Sequence, residues 1–161
     1  MNKFKTFILL LVSFILQTSV FSKIDIFGAN VNIFIPAIVV LSQFLGRKTG
    51  SMSGLVLGLV EDFLLTPFFG VRALSYYLIG YIVGEVKVPK VKSSGVLVTA
   101  IASLGSFLLI SLIYFILGKP GADILNYLPL ALITEIVLNS LVYLIYNIIV
   151  KKIMYIPTYK I

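Results

Sequence analysis

The chain contains no cysteine, no histidine and no tryptophan, and only 12% of its residues are charged. Each absence excludes something. Without cysteine there is no disulfide framework and no thiolate ligand. Without histidine the commonest general base and the commonest metal ligand are missing. A soluble domain carries about 25% charged residues. A chain of 161 residues that is 60% hydrophobic has too little polar surface to cover a soluble core. Lipid is therefore its expected solvent, and residues 1–161 read as one integral membrane domain. With tryptophan absent, the interfacial aromatic belts fall to 9 tyrosines and 12 phenylalanines.

What is present is a succession of apolar runs, at about 6–21, 31–45, 50–65, 71–86, 95–117 and 127–150. These predict an all-α membrane protein, a polytopic bundle of six transmembrane helices. The first run follows a basic start and imitates a signal peptide. Ser19-Val20-Phe21-Ser22 is a poor cleavage site and more spans follow, so the run is read as a retained helix. Pro36, inside the second span, is expected to bend it, because proline frees a backbone carbonyl. Spans three and four are short for a ~30 Å hydrocarbon core, which needs about 20 residues. Either turn residues lengthen them or the bilayer is thinner there.

The net charge of +7 would suggest nucleic acid in a soluble protein. Here the bases sit in short loops and report topology instead. Six spans place Lys3, Lys5, Arg47, Lys48, Lys87, Lys90, Lys92, Lys151, Lys152 and Lys160 on one side, and only Lys23, Arg72 and Lys119 on the other. That asymmetry assigns both termini to the cytoplasm.

The densest information lies in 46–85. Gly50, Gly54 and Gly58 are four residues apart, and so are Gly80 and Gly84. Such spacing puts small residues on one helix face, where another helix can come close. It predicts a tight hairpin of two membrane helices with a polar knot near one end, and a helix-packing groove around spans three to six that admits a foreign helix. Between the two glycine sets lie the adjacent acids Glu61 and Asp62, a turn with Pro67 and Gly70, and Arg72. A lipid-facing acid at this depth costs about 2.5–3.5 kcal/mol even on lenient scales, so the acids should face protein or water. Arg72 is placed to pair with Asp62 or Glu61. In span six Glu135, Asn139 and Tyr143 form a polar stripe with one-turn spacing. Glu135 lies about 12 Å below the outer boundary and Glu61 about 17 Å above the inner one, at 1.5 Å per residue, which brings them to similar depth. Glu135 is then protonated, bonded to Asn139 and tyrosines, or paired with another chain.

No catalytic constellation is visible. There is no histidine to activate a nucleophile, no metal-ligand cluster and no phosphate-binding Gly-Lys-Ser/Thr loop. Glu61 and Asp62 point about 100° apart on a helix and make a poor acid–base pair. No cofactor, metal or nucleic acid is expected.

The central stretch reads Arg47-Lys48-Thr49-Gly50, Gly54, Gly58-Leu59, Asp62, Pro67 with Gly70, Leu74, then Gly80-Tyr81 and Gly84. Over roughly 36–85 it resembles the rod shape-determining protein MreD family. Pro67-Phe68-Phe69-Gly70 is one residue longer than the family's Pro-x-Gly, and Arg72 stands where small polar residues or histidine are more familiar. The resemblance implies a non-enzymatic, multi-pass protein of the bacterial cytoplasmic membrane that binds the membrane helix of MreC. Through it the chain would serve cell shape and peptidoglycan synthesis, with the elongation polymerase and a class B penicillin-binding protein as indirect partners. The alternative is a six-span substrate-binding component of a vitamin or metal transporter. Such proteins carry Ala-x-x-x-Ala in the first span, and 6–21 has no alanine. A proton-coupled transporter using Glu135 is a third reading.

Overall fold

The computed structural model describes residues 2–26, 29–65, 68–118 and 124–154. Among them are six α-helices: α1 (Asn2–Ser19), α2 (Phe34–Leu45), α3 (Arg47–Leu65), α4 (Val71–Glu85), α5 (Lys92–Ile116) and α6 (Ile124–Ile153). A 3-10 turn, Phe21–Lys23, and a two-residue antiparallel ribbon, Asp25–Ile26 against Ala29–Asn30, link α1 to α2. Asn2–Lys23, Lys92–Ile116 and Leu130–Ile153 are long and apolar enough to cross a membrane unaided.

The helix in the middle is the shortest. From Phe34 to Phe44 every residue of α2 is buried, and α1, α3, α4, α5 and α6 all pack on it. Twelve residues make only about 18 Å of helix. The expected helix over 31–45 is therefore corrected. It begins at Phe34, and the buried residues before it run outside any helix.

Pro36 explains part of this. It was expected to bend a span from within, but it is the third residue of α2. Backbone N–H groups in the first turn have no partner inside the helix, so a proline there costs none. The helix starts around Pro36 instead of kinking at it. The other end stops at Gly46, whose φ of 90° suits only glycine, and whose N–H bonds Ser42 O at 2.9 Å. Helix α3 resumes at once, so former turn residues lengthen span three to 19 residues. Span four stays short at 15.

The glycine face is real, but its partner is internal. A Cβ on Gly54 would overlap the Tyr76 carbonyl, one on Gly58 the Ala73 backbone, one on Gly80 the Gly50 carbonyl, and one on Gly84 the Arg47 backbone. Gly50 lies against the Ser42 side chain. The two glycine sets thus close α3 on α4 backbone to backbone. The seam is filled by this chain, not left open for a foreign helix.

The outer faces of α1, α5 and α6 remain apolar and uncovered: Phe7, Leu11 and Ile15, then Leu97, Ile101 and Leu108, then Ile133, Val137 and Leu141. Helices with such faces need lipid or another apolar partner. Among the described residues, the basic segments at the start of α1, between α4 and α5 and at the end of α6 collect at one end. Lys5 Nζ donates to Ile153 O at 2.6 Å, Lys151 lies 5.4 Å from the Phe44 ring centre, and the Gln43 amide donates to Pro89 O.

The seam makes a direct prediction. Gly54→Leu or Gly58→Leu forces backbones apart and is expected to cost about 1–3 kcal/mol or more. Gly105→Leu, where nothing lies within 4 Å of the added carbon, is expected to be neutral. Thermal unfolding of the detergent-solubilised variants checks both; a Gly54→Leu protein that melts like wild type contradicts the seam.

Candidate functional site

The sequence places Glu61 and Asp62 near the end of α3, and the fold gives them separate tasks. Asp62 turns to the start of α4. Its Oδ2 accepts from Gly70 N at 2.9 Å and Ala73 N at 3.0 Å, and its Oδ1 accepts from Arg72 N at 3.2 Å. A carboxylate on three amides at a helix N-terminus satisfies orphan donors and meets the positive end of the helix dipole. Gly70 makes the turn with φ of 100°. Pro67 lies outside the described residues.

Glu61 turns the other way and pairs with the Arg72 guanidinium. The Glu61 side chain is 3% exposed and that of Arg72 is 32% exposed. Sequence alone left Glu61 and Asp62 equal as partners for Arg72. Geometry gives the guanidinium to one and the backbone of the same residue to the other. Glu61 Oε2 and Arg72 Nε have no hydrogen-bond partner among the described residues. At the other end of the hairpin Arg47 bonds Glu85 at 2.7 Å. Both side chains there are at least half exposed, so this pair contributes little.

From Glu61 a polar layer runs across the whole bundle. Tyr76, one turn past Arg72 and fully buried, lies beside the Glu61 carboxylate. Its hydroxyl accepts from Asn32 Nδ2 at 2.6 Å. Asn32 Oδ1 accepts the Phe34 N–H at 3.1 Å, opening α2. The Asn32 N–H donates to Asn139 Oδ1 at 3.0 Å, and Asn139 Nδ2 donates to Ser103 Oγ at 3.0 Å. Glu135 stands one turn away, half-buried, with its carboxylate at the Asn139 side chain and within electrostatic range of Arg72 and Glu61. Gln17 of α1 completes the layer. Its Nε2 donates to Val31 O at 3.0 Å and its Oε1 accepts from Ile33 N at 2.9 Å. The non-helical 31–33 segment is thereby bonded by side chains, as buried backbone requires.

A second cluster lies nearer the basic end. Gln43 of α2 donates to the α4–α5 connection at Pro89 and accepts from the Tyr143 hydroxyl. Asn147 Nδ2 donates to that hydroxyl at 2.9 Å. The Glu135, Asn139 and Tyr143 stripe is therefore divided, its first two members in one layer and Tyr143 in the other.

The sequence reading gathered Glu61, Asp62, Arg72, Glu135 and Asn139, and the fold brings all five into one neighbourhood. It missed Gln17, Asn32, Gln43, Tyr76, Ser103 and Asn147. Three of these were findable, because Gln17, Gln43 and Asn147 are amides inside apolar runs, which membranes penalise unless they are bonded. Asn32 and Ser103 carry no such signal; only packing gives them partners. Among the described residues no group of three or more His, Cys, Asp or Glu is placed to hold a metal.

Fold and site together define a class: a small helical protein with three helices able to cross a membrane, whose buried carboxylates bond its neighbouring helices. The profile of the family described as rod shape-determining protein MreD matches residues 1–161, the whole chain. The chain therefore belongs to the MreD family, and its role lies in rod shape determination. No curated protein and no solved structure matches it.

The ion pair is testable. Arg72→Ala leaves Glu61 buried and alone, at an expected cost of roughly 3 kcal/mol, the lower end for a buried pair because Arg72 is partly exposed. Glu61→Gln in the same chain should restore most of that loss. Thermal unfolding of the two single variants and the double variant measures the coupling; additive losses would mean the pair is not stabilised as a unit.

Proposed function

We propose that this protein is a non-enzymatic scaffold of the cell-wall elongation machinery, binding the membrane helix of MreC and so supporting peptidoglycan synthesis in a rod-shaped cell. Membership of the MreD family along the whole chain carries the reading. The site is compatible with it, since Asp62, Glu61 and Arg72 are bonded to one another's helices. The polymerase and the class B penicillin-binding protein are reached through that complex.

The docking face must differ from the glycine seam, which is closed. One opening among the described residues lies between α4 and α5. There Ser75, Ala102, Gly105 and Ser106 stand among aliphatic side chains such as Leu78 and Leu109 around a groove of about 330 Å³. A Cβ on Gly105 would meet nothing within 4 Å. Small residues on an uncovered face allow close approach of another helix. Gly105→Leu is expected to lower the amount of MreC that co-purifies several-fold, with yield and melting unchanged. Undiminished MreC with that variant removes the face; no MreC with the wild-type chain removes the scaffold.

The same reading takes the chain six times through the cytoplasmic membrane, both termini inside. The second crossing combines α2, about 18 Å long, with the non-helical residues that precede it. Because the chain has no cysteine, Lys90→Cys offers a single reporter thiol. It should resist a membrane-impermeant thiol reagent added outside spheroplasts and react after permeabilisation. Labelling from outside would overturn the orientation.

A further inference from the structure

Helices α1 and α6 stand apart over most of their length. They are joined at the basic end by Lys5 Nζ on Ile153 O, 2.6 Å, and lower down by Ser13 Oγ and Tyr146 OH, 2.5 Å apart. Between them runs a groove of about 400 Å³. Its walls are apolar, among them Ile8, Val12, Leu16, Ile145 and Ile149. The two hydroxyls on its floor bond each other, so neither is left for a polar ligand.

We propose that this groove holds one acyl chain of an anionic phospholipid, with the headgroup phosphate at Lys5 and Lys152.

The walls separate a lipid chain from a helix. Among the described lining residues none is glycine or alanine, and Ile8, Val12, Ile145 and Ile149 are branched. Branched side chains keep a second backbone away, whereas helix pairs in membranes use small residues at the contact.

Charge at the mouth selects the headgroup. Lys5 lines the groove. Lys152 is exposed and follows Ile149 by three residues, on the same face of α6. Among the described residues the single acid at this end is Glu85, already bonded to Arg47. A phosphate at the mouth therefore meets two ammonium groups. Basic pockets between membrane helices bind anionic headgroups in this way.

The test is native mass spectrometry of the full chain in detergent, titrated with phosphatidylglycerol or phosphatidylcholine of identical acyl chains. Wild type should retain phosphatidylglycerol several-fold better. Lys152→Gln, at an exposed site where folding is not at risk, should lower that retention about fivefold and leave phosphatidylcholine unchanged. Lys48→Gln, on the α3 side of the same end, should behave as wild type. Val12→Trp with Ile145→Trp should fill the groove and reduce both lipids. Equal retention of the two lipids, or equal losses for Lys152→Gln and Lys48→Gln, would reduce the effect to general surface charge and overturn the site. A photo-cross-linker at Val12 should capture phospholipid; capture of a second copy of the chain or of another protein's helix would assign the groove to protein instead.

Discussion

Inside a bilayer no water is present to bond a stray amide, so each buried backbone N–H and C=O must find a partner within the protein. The 31–33 segment is where this constraint is sharpest. The chain enters the centre of the bundle in a non-helical form, and side chains take over the work of a helix. Gln17 bonds Val31 and Ile33, Asn139 bonds Asn32, and Asn32 bonds the first amide of α2. These contacts draw α1 and α6 onto the start of α2 at one level. Tyr76 and Ser103 extend the layer to α4 and α5. A polar residue lost from this layer would leave its partner bare in an apolar interior, which costs more than the bond itself contributes.

The α3–α4 hairpin solves a different problem. Its helices carry six charged residues, Arg47, Lys48, Glu61, Asp62, Arg72 and Glu85, and neither is long and apolar enough by itself to cross a membrane. Close backbone packing through glycine supplies the contact, and Asp62 and the Glu61–Arg72 pair supply the electrostatic closure at the tip. The hairpin then lies against buried α2 as one unit, while α1, α5 and α6 turn apolar faces outward. The chain is in this sense built around an apolar α2 that polar bonds tie to its neighbours, with apolar faces of α1, α5 and α6 turned outward.

That arrangement bears on how the family can serve shape determination. Glu61, Asp62 and Arg72 bond within the chain. What the described residues turn outward is the α4–α5 groove, the α1–α6 groove with Lys5 in its lining, and a basic end.

Composition and hydropathy were enough to read a helical membrane protein and the rough limits of the helices among the described residues, because those properties are repeated along the chain and need no long-range contact. The family was legible from the residue pattern of 36–85. Glu61, Asp62, Arg72, Glu135 and Asn139 were also legible, since polar groups in apolar runs must be used by something. Partner choice was not. That Gly54 meets Tyr76 of the same chain and no foreign helix, that Glu61 and Asp62 divide Arg72 between side chain and backbone, and that Pro36 begins a helix instead of bending one, all depend on where distant segments arrive. A residue's chemistry states what it must satisfy; only the packed bundle states with whom, because the pairings link residues as far apart as Asn32 and Asn139, and no local pattern records that distance.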